Sequence, residues 1–188
     1  MREAVVGIGR KTWLQDGTRV EVTQIDGAEI AENLDSTARH EAFHVLAGFE
    51  RGVGVIKATN VPGPGYGGYA QFTSFDSVVA AAPHAFGCSG TGHDLQQIEE
   101  NGDSVSASLK VARALLSSKT RHMAAIATVI QNERVASGSQ MKKAKEKVEE
   151  GSTVQVEVTS ADGRRTTKRV FGVTEDKLTI PVDYGTYG

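Results

Sequence analysis

The stretch His40-Glu41-Ala42-Phe43-His44 constrains this chain more than any other. It reads as H-E-x-x-H. On a helix, positions i and i+4 share a face, so two imidazoles at this spacing can hold one metal ion. Glu41 then projects beside the metal, where a carboxylate can take a proton from a zinc-activated water. The competing reading is two half-buried histidines on an amphipathic helix. The flanks favour a real helix over about 34–50. Asp35, Ser36 and Thr37 are N-cap residue types. Ala38, Ala42, Val45, Leu46 and Phe49 form an apolar face, and Gly52 and Gly54 end it. A helix that is apolar around two histidines buries them, and buried imidazoles need partners, either a metal or carboxylates.

Length and composition narrow the class. The 188 residues carry a formal charge of -2, with 39% hydrophobic and 23% charged residues, the profile of a soluble globular chain of one domain or one domain with an appendage. Near-zero charge gives no electrostatic argument for nucleic acid or a membrane surface. No apolar run approaches the ~20 residues of a membrane span. The start, Met1-Arg2-Glu3-Ala4-Val5-Val6, is too short and acidic for a signal peptide. Cys88 is the single cysteine, so no internal disulfide forms and a reducing, cytoplasmic setting is expected.

Along the chain, residues 4–30 read as short strands, with Val20-Glu21-Val22 alternating and Asp16-Gly17 as a turn. After the motif helix, 53–61 and 68–72 read as two strands joined by Pro62-Gly63-Pro64-Gly65. Helix is expected over 75–86, from Asp94 to about Gly102, over 104–118, over 120–136 and over 140–150. The last of these is a solvated, charged face. From Thr153 the pattern turns to strand: Val154, Val156 and Val158 alternate, Asp162-Gly163 turns, and 167–173 follows. The fold class is therefore α+β. A mainly helical domain over 33–150 carries a small hairpin beside the motif helix, with an N-terminal β segment (1–32) and a C-terminal β-rich appendage (151–188).

A catalytic zinc site takes three protein ligands and one open position. With His40 and His44 as two, the candidates for the third are Asp94, His93, His84, Asp103 and Glu99. Asp94 is favoured locally because it starts a helix after the flexible Ser89-Gly90-Thr91-Gly92; the plain alternative is an N-cap. His93 is its main competitor. His122 falls within a later helix, as a surface or core residue, and Cys88 reads as a buried thiol.

The order of these pieces resembles the zinc-peptidase domain of the FtsH-type AAA+ proteases over about 36–150. Thr37-Ala38-Arg39-His40-Glu41-Ala42-Phe43-His44-Val45-Leu46-Ala47-Gly48 is similar to that family's YHEAGHAIVG helix. Residues 57–63 and Gly67-Gly68-Tyr69-Ala70-Gln71-Phe72 resemble its strand, turn and strand. Thr91-Gly92-His93-Asp94-Leu95 resembles its ASNDLE segment, which implies Asp94 as third ligand, and Gly138-Ser139-Gln140 resembles the turn before its last helix. The chain departs from the pattern at Phe43, where the family has glycine. It departs again at Val79-Ala80-Ala81-Ala82-Pro83-His84, where the family has GGRAAE. No G-x-x-x-x-G-K-[ST] occurs in it, so no ATPase site is expected here.

The expected function is a zinc-dependent endopeptidase that stands alone from an ATPase module. His40, His44 and Asp94 hold Zn2+, and Glu41 is the general base. Gly68, Tyr69 and Ala70 offer an edge for an extended substrate, or their glycines simply serve the hairpin. Peptides or unfolded chains are the expected substrates. Nucleic acid is not an expected partner, whereas a homo-oligomer or a separate unfoldase partner is compatible with the sequence. The alternatives are an inactive peptidase-like binding or structural module, and an H-E-x-x-H peptidase of another group that cleaves a regulatory partner.

Overall fold

A computed structural model describes residues 2–25 and 34–182. The strand reading over 26–30 and the end of the C-terminal segment (183–188) lie outside the described residues. In chain order the strands are β1 (Arg2–Gly7), β2 (Arg10–Trp13), β3 (Arg19–Gln24), β4 (Val55–Thr59), β5 (Tyr69–Phe72), β6 (Val135–Ser137), β7 (Ser152–Thr159), β8 (Arg165–Val173) and β9 (Lys177–Val182). The helices are α1 (Ser36–Arg51), α2 (Ser77–Ala85), α3 (Gly92–Glu100), α4 (Val105–Leu116), α5 (Thr120–Glu133) and α6 (Gly138–Glu150). The mixed helix-and-strand class read from the sequence is what the chain adopts.

The chain divides into two compact units, Met1–Asp26 with Lys147–Gly188, and Gly27–Glu146. The first is built from both chain ends. β1 pairs antiparallel with β9, from Arg2 opposite Val182 to Gly7 opposite Lys177. β2, β3, β7 and β8 form a four-stranded sheet in that order. Val20 and Val22 of β3 face the core with Val154 and Val156 of β7, joined there by Ala4, Val6 and Ile180. Each terminal segment has one apolar face per strand and too few strands to bury it alone, so the two segments close one core together. The sequence pattern, read locally, had placed them as separate pieces.

In the second unit α1 is the central element. Asp35 caps it, accepting from the Ala38 N–H at 2.9 Å, and Gly52 ends it in the left-handed conformation. Its Ala42, Val45 and Leu46 are buried against Val78 and Ala82 of α2, Leu116 of α4, Met123, Ile126 and Ile130 of α5 and Met141 of α6. β5, β4 and β6 form a three-stranded sheet in that order. β6 departs from the sequence expectation, which carried the helix to 136. α5 stops at Glu133, Arg134 takes φ 63° and ψ -36°, and the next three residues pair with β4. A three-residue strand is too short to show a period. α6 then opens on a capping box, since Ser137 Oγ accepts from the Gln140 N–H (3.1 Å) and Gln140 Oε1 accepts from the Ser137 N–H (2.9 Å).

Candidate metal centre

The two motif histidines sit on successive turns in the middle of α1, and their rings meet edge-on with centroids 4.9 Å apart. His40 Nδ1 lies 2.9 Å from the Ser89 carbonyl oxygen and His44 Nδ1 lies 2.8 Å from that of Val79. A carbonyl only accepts, so in each ring Nδ1 carries the hydrogen. Nε2 is thereby left with its lone pair, the form that ligates metals. The two Nε2 atoms are 3.2 Å apart. Asp94 Oδ2 completes the triangle, 3.3 Å from His40 Nε2 and 3.2 Å from His44 Nε2. Among the described residues these three form the one group able to hold a metal ion.

The triangle fits zinc. Nitrogen and oxygen donors about 2.0–2.1 Å from a tetrahedral centre lie about 3.3 Å from one another, and all three edges here match that spacing. Three acceptors packed this closely repel unless a cation or a proton lies among them. Without a metal, this crowding favours protonation of His44. Burial disfavours the imidazolium of His44, but the hydrogen bond and charge of Asp94, with Glu41 and the Val79 carbonyl, outweigh it and raise its pKa. For Asp94, burial works toward a higher pKa, yet the two histidines hold its carboxyl far below the usual range.

Asp94 reaches this position because α3 begins at Gly92, which makes Asp94 a first-turn residue; Thr91, not Asp94, occupies the cap position. The preceding loop bends through left-handed Gly87 and Gly90, a conformation only glycine adopts freely. Two contacts from α1 hold that loop. Arg39 donates from its two terminal nitrogens to the Phe86 carbonyl (3.0 Å) and to Cys88 Sγ (3.3 Å). Phe43 stacks on Phe86 with centroids 4.7 Å apart and planes 7° from parallel. The residue that departs from the FtsH-type pattern thus has its own partner, and Phe86 fills the space beside it. His84 Nδ1 lies 2.9 Å from Thr91 Oγ1, tying the loop to the end of α2.

Glu41 is buried at 5% exposure. Burial pushes its pKa up, the neighbouring histidines pull it partly back, and Asp94 adds to the rise. It lines a cleft of about 950 Å³ together with His40, His44 and Asp94. Gly68, Tyr69 and Ala70 line the same cleft. β5 is an end strand of its sheet. The glycine at 68 has a reason within the fold, since a Cβ there would come within 2.5 Å of the Thr59 carbonyl and 2.6 Å of the Thr37 methyl.

The other candidates fall outside the triangle. His93 is exposed and lines the cleft. Asp103 accepts from Ser77 and from Asn101 at 2.8 Å, and Glu99 is exposed. Cys88 is buried, its pKa raised by burial against the pull of Arg39, and it serves as an acceptor for that arginine. What the sequence reading missed is the pair of main-chain carbonyls that orient the histidines, together with Arg39, which holds the loop that carries one of them through Phe86 and Cys88. No protein-family model matches the chain, and no curated protein matches it significantly. Among the described residues no helix is long and apolar enough to cross a membrane.

Proposed function

We propose that this chain is a zinc-dependent endopeptidase. The observation that carries the reading is the triangle of His40 Nε2, His44 Nε2 and Asp94 Oδ2, with edges of 3.2 to 3.3 Å, beside a buried glutamate. His40, His44 and Asp94 would hold the metal, which when bound supplies Lewis acidity to a water and to the scissile carbonyl. Glu41 takes the proton of the attacking water and passes it to the leaving amine. Its raised pKa suits that exchange, because a base closer to neutrality returns the proton readily. The outer edge of β5, an end strand among the described residues, with Tyr69 and Ala70, would take an extended peptide by strand addition. The resemblance to the FtsH-type peptidase domain supports the same ligand set and base.

The proposed substrates are peptides, flexible segments or unfolded chains, in a cytoplasmic setting, with the chain acting alone, as a homo-oligomer or with a separate unfoldase. The test pairs metal content with turnover. About one zinc per chain, hydrolysis of unfolded protein, and loss of hydrolysis with zinc retained in Glu41→Gln are expected. A chain that takes up no zinc from metal-containing buffer refutes the proposal.

A further inference from the structure

A proline sits inside α2, at Pro83. In a regular helix the N–H of residue 83 would donate to the carbonyl of residue 79. Proline has no N–H, and its ring crowds the carbonyl four residues earlier. The carbonyl it leaves without that partner is Val79 O, which accepts from His44 Nδ1 at 2.8 Å. We infer that Pro83 is a positioning residue of the metal centre: it frees the Val79 carbonyl to hold His44 in the tautomer that presents Nε2. The inference rests on the metal reading above for its consequence in zinc affinity, but not for its consequence in the tautomer.

The surroundings agree with a device of this kind. His44 is buried at 7% exposure and Val79 at 4%, so solvent competes little for the carbonyl. Asp76 fixes the start of the same helix, accepting from the Val78 and Val79 N–H groups at 2.9 and 3.1 Å. The helix is thus pinned at its cap and interrupted two residues before its end, with the freed acceptor facing α1. Pro83 is itself buried within α2. A proline in a helix interior ordinarily destabilises the helix relative to alanine, and the gain here is an oriented ligand.

The experiment is Pro83→Ala, because the two roles a proline could have move its readouts in opposite directions. If Pro83 only fills space, the variant loses thermal stability in the metal-free state and keeps its zinc affinity. If it frees Val79, the metal-free protein keeps or raises its Tm, because the helix regains a hydrogen bond. Zinc affinity, read by competition with a chelator, should then fall about 10- to 100-fold, as for loss of other groups that orient metal-bound histidines. The second readout needs no metal. Imidazole nitrogen shifts of the metal-free protein, recorded at a pH above the His44 pKa where the ring is neutral, should show His44 with its hydrogen on Nδ1, and Pro83→Ala should move part of it to Nε2. An unchanged tautomer with unchanged zinc affinity overturns the inference. Should the wild-type protein bind no zinc, the metal reading fails, and the tautomer shift alone decides for or against the role of Pro83.

Discussion

Replacing Asp94 by alanine tests the site most directly. The substitution removes one of three donors and leaves two Nε2 atoms 3.2 Å apart. Structural zinc sites gain about 10–16 kcal/mol from four ligands, or about 2.5–4 kcal/mol each. Asp94→Ala should therefore weaken zinc about 10²- to 10³-fold. The assay is the zinc-induced rise in Tm at a free concentration about 1,000 times the wild-type Kd. There the wild-type protein gains about 4.1 kcal/mol, and the variant, with Kd raised as stated, about 0.4–1.4 kcal/mol. At roughly 2–4 °C per kcal/mol, a rise of about 8–16 °C shrinks to about 1–6 °C. pH supplies an independent sign. In the metal-free protein His44 has a raised pKa, so its contribution to stability is present below the unfolded pKa and is lost as pH rises through the folded one. Zinc binding displaces that proton, so the zinc-induced gain grows with pH over the same interval. Asp94→Ala should flatten the metal-free slope. A variant that keeps the wild-type zinc shift and the wild-type slope would refute the assignment.

Three further outcomes follow from the same geometry. Glu41→Gln should lower kcat by about 10²- to 10⁴-fold while a competition titration finds zinc affinity close to wild type. Glu50 lies 3.4 Å from Lys119 and 3.2 Å from Lys145; burial opposes its ionisation, but the two lysines prevail and its pKa is lowered. Glu50→Gln should cost about 1 kcal/mol in chemical denaturation at pH 7, a difference that vanishes as pH falls through the folded pKa. Arg134 is exposed and holds φ 63° without being glycine, so Arg134→Gly should raise stability by up to about 1 kcal/mol, read as an increase in denaturation midpoint.

Much of the site was legible because helix geometry is local. H-E-x-x-H on an apolar helix requires nothing beyond 3.6 residues per turn to bring His40 and His44 to one face. The caps at Asp35 and Gly52 are equally short-range signals. So are the alternating valines of β3 and β7, which announce strands with one buried face. Asp94 could be ranked first but not separated from His93 by local reasoning, since both stand at the start of one helix. Their separation came from the α2–α3 loop: its bend aims residue 94 at α1 and leaves residue 93 exposed on the cleft.

The sequence by itself determined the elements that repeat within a turn or a strand, the two histidines and the glutamate beside them. The tertiary structure decided the rest, and the reason is distance along the chain. Joining β1 to β9 spans nearly the whole sequence, and the benefit of closing one core from both ends appears in no local pattern. Ser89 O and Val79 O orient the histidines through main-chain atoms, which every residue type carries, so side-chain identity could not mark them. Phe43 shows the boundary between the two kinds of information. The sequence required its ring to find a pocket, and only the folded chain supplied Phe86 as the partner.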